Sequence, residues 1–209
     1  MTISIEDLLS SIMESLDRID YIRPEDIPNI DLYMDQVTTL MGDRLKNSTR
    51  HPESDKILTK TMINNYTKNN LLPPPVRKKY SREHVLILIF IYYYKGIMSI
   101  NDIQTILQPI TEKYFKTQDG LSLEDIYNQV FSLEREQVES LKKDVVEKFT
   151  RAGGTFSEQE EEAREFLQFF SFICMLSFDV YVKQLMIEKL LDAYSGALGK
   201  GKEKGRKGD

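Results

Sequence analysis

Tryptophan is absent from this chain of 209 residues, cysteine occurs once and histidine twice. The single cysteine, Cys174, excludes an intramolecular disulfide and fits a reducing compartment, so residence in the cytoplasm is expected. His51 and His84 are isolated, and with one cysteine they cannot assemble a zinc-ligand spacing. The phosphate-cradling patterns GxGxxG and GxxxxGK[ST] are missing, as is the GxSxG nucleophile elbow. Carboxylates are plentiful, but they recur at the spacing of solvated helix faces. Cys174, set among Phe and Met, reads as core rather than as a nucleophile. No catalytic activity, no cofactor and no metal are expected.

Glycine (10 residues) and proline (7 residues) are too few for an all-β chain of this length. The N-terminus "MTISIEDLLSSIMESLDRIDY" carries acids early and lacks a basic leader, so no signal peptide is expected. The most apolar run, Phe166–Val182, is interrupted by Gln168 and Asp179 and falls short of the roughly 20 apolar residues that a bilayer requires. It reads as a buried helix, with no membrane partner.

What is present is a hydrophobic fraction of 41%, enough for a core, distributed at helical spacing. Ile5, Leu8, Leu9, Ile12, Leu16 and Ile19 share one face of a first helix over Ile3–Ile19. After "RPEDIPNID", Asp31 is the expected cap of a second helix over Leu32–Leu45, with Met34, Val37, Leu40, Met41 and Leu45 inward. A polar loop leads to Thr59, the expected cap of a third helix that "LLPPP" ends, since each proline disfavours helix in the residue before it. "VLILIFIYYY" suits a buried strand by composition. Its preceding Ser81, the acid Glu83 and the lack of a partner strand favour a fourth helix. Ser99 with Asp102 resembles a capping box opening a fifth helix, which Pro109 is expected to stop. Ser122 caps a long acidic helix to about Phe149, "RAGGT" turns, and a last helix covers about Glu158–Tyr194. That helix is apolar almost all round between Phe166 and Leu191, so it is expected to be buried in its own core or in a dimer. The fold class expected is therefore all-α.

Charge is segregated. Between Thr59 and His84 stand six cations (Lys60, Lys68, Arg77, Lys78, Lys79, Arg82) and one acid, Glu83. That gives +5 within a chain of −5, leaving −10 for the rest. Concentrated positive charge suits a polyanion. On the third helix Leu58, Met62, Ile63 and Tyr66 define an inner side, while Lys60, Thr61, Asn64, Asn65 and Lys68 lie outward or on the flank. Such side chains reach base edges and phosphates from a major groove. A polar outer face is also what any surface helix shows.

The order "LTKTMINNYTKNNLLPPP", a basic stretch ending in Tyr80, then "SREHVLILIFIYYYKGIMSINDIQTIL" resembles the MerR-type winged helix-turn-helix over about Leu58–Leu107. The resemblance implies a recognition helix at Thr59–Asn70, a wing at Pro73–Tyr80, supporting helices at Ser81–Lys95 and Ser99–Leu107, and a first HTH helix at Asp31–Leu45. The implied DNA-binding residues are Lys60, Thr61, Asn64, Asn65, Lys68, Arg77, Lys78 and Lys79. This sequence departs from that family in three ways. Asn64 stands where it usually has Arg and Asn65 where it has an aromatic, the wing is shorter and lacks a Gly-Tyr-Arg phrase, and a polar insertion separates Gly42 from Leu58. The phrase "IPNIDLYMDQVTTLM…ILTKTMINNYTKNNLLPPP…KKYSREHVLILIFIYYYKGIMSINDIQ" is also similar, over roughly residues 21–110, to a bacterial family of domains of unknown function, number eighteen thirty-six.

The reading is a bacterial DNA-binding transcription regulator. It has an N-terminal helix (1–20), a MerR-like unit with a small β-wing (24–110), a C-terminal helical hairpin for dimerisation or sensing (121–195) and a disordered basic tail (196–209). Its expected partners are double-stranded DNA and a second copy through the C-terminal helices, with no small-molecule effector identified. The alternatives are a protein–protein adaptor on the same scaffold, and a small-molecule sensor with a pocket among Phe166, Phe169, Phe170, Phe172 and Tyr181.

Overall fold

A computed structural model describes residues 5–16, 22–46, 49–51, 54–55, 57–117 and 120–205. The chain is mostly helical, with seven α-helices and one two-stranded sheet among the described residues. It divides into two compact units, one of residues 1–20 with 131–187 and one of residues 21–130 with 188–209.

The larger unit opens with a single 3-10 turn at Pro24–Asp26, then β1 (Leu32–Tyr33) and α2 (Met34–Leu45), α1 being Ile5–Leu16 in the other unit. Asp31 does not cap α2. Leu32 and Tyr33 are drawn into an antiparallel pair with β2 (Lys79–Tyr80), in the register Leu32 with Tyr80 and Tyr33 with Lys79. The helix start moves to Tyr33, whose N–H donates to Gln36 Oε1 at 2.8 Å. Of the inward residues expected on α2, Val37, Met41 and Leu45 are buried, whereas Met34 and Leu40 are half-buried.

Next come α3 (Lys60–Lys68), α4 (Arg82–Tyr94) and α5 (Ile100–Tyr114). The run that could have been a strand is the central helix α4, with every residue from His84 to Ile91 buried. A helix apolar on all sides must be surrounded, and β-branched residues accept helix where packing outweighs their weak propensity. At the start of α5 the Ser99–Asp102 box forms: Ser99 Oγ accepts from Asp102 N–H at 3.2 Å. Pro109 does not stop α5, which continues to Tyr114. Proline removes the backbone bond to the Thr105 carbonyl; the next turn carries side-chain hydrogen bonds, Gln108 Nε2 to Glu112 Oε1 at 2.6 Å and Thr111 Oγ1 to the Gln108 carbonyl at 2.9 Å.

Helix α6 (Leu123–Gly153) starts with the expected Ser122 cap, Ser122 Oγ accepting from Asp125 N–H at 3.1 Å. Its first two turns belong to the larger unit. Leu123 and Tyr127 are buried, and Tyr127 Oη donates to the Ile22 carbonyl at 2.6 Å.

In the other unit, α6 continues from Phe131 and α7 (Glu161–Gly205) lies against it through Ile187. Phe149 meets Phe172 edge to face at 5.4 Å, Lys148 Nζ pairs with Asp179 at 2.8 Å, and Gln168 Nε2 donates to the carbonyls of Gly153 and Thr155. Burial of α7 in its own core is not what the fold delivers. Only Phe172 and Leu191 are buried among its described side chains. The backbone of α7 also runs helically to Gly205, beyond the Tyr194 limit expected from composition.

Candidate functional site

The basic segment is built on α3 and the hairpin that follows it. Thr59 Oγ1 accepts from Met62 N–H at 3.2 Å, which starts α3 as expected. Ile63 and Tyr66 are buried, and Met62 is half-buried. Lys60, Thr61, Asn64, Asn65 and Lys68 are all exposed, so the five predicted residues share one outer surface.

The prolines do not end α3. Asn70 does, in the left-handed region at φ 56°. Its N–H bonds to the Thr67 carbonyl at 3.2 Å, and Leu71 N–H to the Tyr66 carbonyl at 2.8 Å, the paired bonds of a Schellman stop. Leu71 and Leu72 then plug the core, and Pro73–Pro75 carry the chain outward.

Past the prolines the chain makes a two-residue hairpin. Val76 and Lys79 exchange both backbone hydrogen bonds, at 3.0 and 2.9 Å. Between them Arg77 (φ 51°) and Lys78 (φ 63°) are both left-handed. That is the geometry of a type I′ turn, where Asn-Gly is favoured because left-handed backbone costs an L-residue about 1–2 kcal/mol. Two exposed cations thus occupy the most strained positions of the hairpin. Lys79 is half-buried, its Nζ 5.1 Å from the ring centroid of Tyr33 across the sheet.

Two further side chains hold this surface in place, and the sequence reading assigned neither of them a role. His84 is buried beneath the hairpin, with Tyr80 and Phe115 edge-on at 5.5 and 4.8 Å. Its Nδ1 accepts from Ser81 N–H at 2.9 Å, which leaves Nε2 to donate toward the Pro74 carbonyl at 3.4 Å. Burial pushes the imidazole pKa down, against the Pro74 hydrogen bond that raises it. Lys95 Nζ, at the end of α4, donates to the Ile57 carbonyl at 2.6 Å and so ties down the segment that leads into α3. Burial likewise lowers the Lys95 pKa. Position three of a capping pattern could have pointed to His84; nothing local marks Lys95, whose partner is remote in sequence.

Arg82 leaves the charge count. It donates to the Pro24 carbonyl and pairs with Glu124 at 3.3 Å, so it is a strut between elements. α2 touches α3, β1 and β2, which joins the exposed helix and the hairpin into one unit.

No group of three or more His, Cys, Asp or Glu residues suited to a metal occurs among the described residues. The aromatics considered for a small-molecule pocket on the last helix divide by burial. Phe172 is buried while Phe166, Phe169, Phe170 and Tyr181 stand exposed.

A sequence profile of the family described as "Domain of unknown function (DUF1836)" matches residues 22–131. The matched stretch corresponds to the first segment of the larger compact unit, residues 21–130. No curated protein and no solved structure matches the chain.

Proposed function

The chain belongs to the DUF1836 family, and from that premise we propose that it is a DNA-binding transcription regulator working through a MerR-like winged helix-turn-helix. In this reading α3 enters the major groove and the Val76–Lys79 hairpin is the wing. The observation that carries it is the turn itself. Arg77 and Lys78 occupy left-handed positions that glycine or asparagine would fill without strain. A strained pair of cations at an exposed tip has a use if those cations meet phosphates.

The order of elements supports the same reading. A helix capped at Thr59 and stopped at Asn70 presents Lys60 and Lys68 with Asn64 between them, and a bidentate Asn reads adenine in the major groove. Phosphate contacts orient the protein while base contacts select sequence, so the two groups should separate experimentally.

Selection of bound sequences from a random duplex pool, followed by anisotropy titrations over a range of salt, tests this. The double substitution Arg77→Ala/Lys78→Ala should weaken binding to every duplex and reduce the slope of log K against log salt by about 2, near 0.9 per lost phosphate contact. Asn64→Ala should leave non-specific binding nearly intact and relax preference at one base pair by roughly 1–3 kcal/mol. A wild-type protein that binds no duplex at low salt, or a wing variant that loses a protein partner and no DNA, would replace this reading with an adaptor on the same scaffold.

A further inference from the structure

The face of α7 that points away from α6 is apolar and open. Phe166, Phe170, Ile173, Ser177, Val180 and Gln184 follow one another at alternating steps of four and three residues, and all six are exposed. The alternation of four and three repeats every seven residues, as in a coiled-coil seam, with Phe169 and Tyr181 beside it. The exposures are large: 66% for Phe166, 54% for Phe170, 41% for Ile173, 65% for Val180 and 63% for Tyr181. The opposite side of the helix carries the contacts to α6, through Phe172, Gln168 and Asp179.

We propose that this seam binds the same seam on a second copy of the chain, forming a helical coiled-coil interface. The inference stands apart from the DNA reading.

Three observations select this occupant. The first is area. An aromatic side chain carries about 150–250 Å², so at these exposures Phe166, Phe169, Phe170, Ile173, Val180 and Tyr181 together offer roughly 600–700 Å² per copy. That exceeds the apolar patch ordinarily left on a monomer and approaches the roughly 800 Å² that each partner of a stable pair buries. The second is spacing, since a four-three, seven-residue repeat matches a supercoiled helix and each copy supplies an identical one. The third is polarity. Ser177 interrupts the seam at a position where two helices can hydrogen-bond to each other.

A lipid bilayer fits less well, although Glu161–Ser195 is long and apolar enough to cross one by length and composition. The other face of the helix is held to α6 by the Lys148–Asp179 ion pair, and α6 carries Glu139, Lys142 and Asp144. A bilayer would have to take in that charged helix as well.

Sedimentation of the full chain over about 1–50 µM decides the question, a range set around the micromolar affinities of ordinary association. Twice the chain mass is expected for the wild type. The chain mass is expected for F170E/I173E and, independently, for V180E/Y181R, with circular dichroism unchanged because all four side chains are exposed. If one variant loses helicity, the other carries the comparison. Three results would overturn the proposal: a wild-type monomer throughout the range, a dimer that survives both double substitutions, or wild-type protein that floats with phosphatidylcholine–phosphatidylglycerol vesicles as a monomer.

Discussion

At the scale of the residue, stability and proposed function pull against each other at Arg77 and Lys78. Both backbones are left-handed. Arg77→Asn/Lys78→Gly supplies the residues that a type I′ turn prefers. The double variant should be more stable by about 1–2 kcal/mol in chemical denaturation, since two strained L-residues are removed. Its duplex affinity should fall, because both cations are lost. A variant with unchanged or lower stability would show that the turn is not strained.

His84 makes a second residue-scale prediction. Burial holds its folded-state pKa below the ordinary value of about 6.5. As pH falls the unfolded chain takes up the proton before the folded one does. Stability is therefore full above about 6.5 and is lost as pH drops below it. Thermal melts between about pH 7.5 and about pH 5.5 should show a falling Tm. His84→Gln, which can still accept from Ser81 N–H, should flatten that dependence. An equally steep dependence in the variant would assign the effect elsewhere.

At the scale of the element, the endings were harder to read than the starts. Thr59, Ser99 and Ser122 each cap the helix assigned to them, because a cap is a bond between near neighbours. The stops are decided by surroundings. Asn70 ends α3 before any proline is reached, and α5 passes through Pro109. Pro109 still leaves one helical hydrogen bond unmade. Pro109→Ala should therefore stabilise the protein by up to about 3 kcal/mol, the difference in interior helix propensity. A loss of stability in the same denaturant titration would mean that the ring fills space which alanine leaves empty. Arg82 and Lys95 belong to this scale too, one joined to Pro24 and Glu124 and the other to Ile57. Neither tie is visible from neighbouring residues.

At the scale of the whole molecule, the family match covers the first segment of the larger compact unit, residues 21–130, and the apolar seam of α7 lies outside the match. If that seam joins two copies, folding and association are linked by mass action. The Tm of the wild type should then rise with protein concentration, and that of F170E/I173E should not. Melts at two concentrations about tenfold apart suffice, because the linkage scales with the logarithm of concentration.

The amino-acid sequence by itself determined the helical class, the helix starts at Thr59, Ser99 and Ser122 and the outer face of α3. Those features rest on side-chain spacing and on bonds spanning three or four residues, which a linear string contains. Lys60, Thr61, Asn64, Asn65 and Lys68 were legible for that reason, and all five lie exposed. Tertiary structure alone decided that Leu32 and Tyr33 pair with Tyr80 and Lys79, that Arg77 and Lys78 form a strained turn, and that Arg82 is a strut. It also decided that α4 is the helix enclosed on every side, from His84 to Ile91, and that α7 leaves one face bare. A two-residue strand has no periodicity to detect, and an all-apolar segment states only that it must be covered. What covers it depends on which distant residues the fold brings alongside.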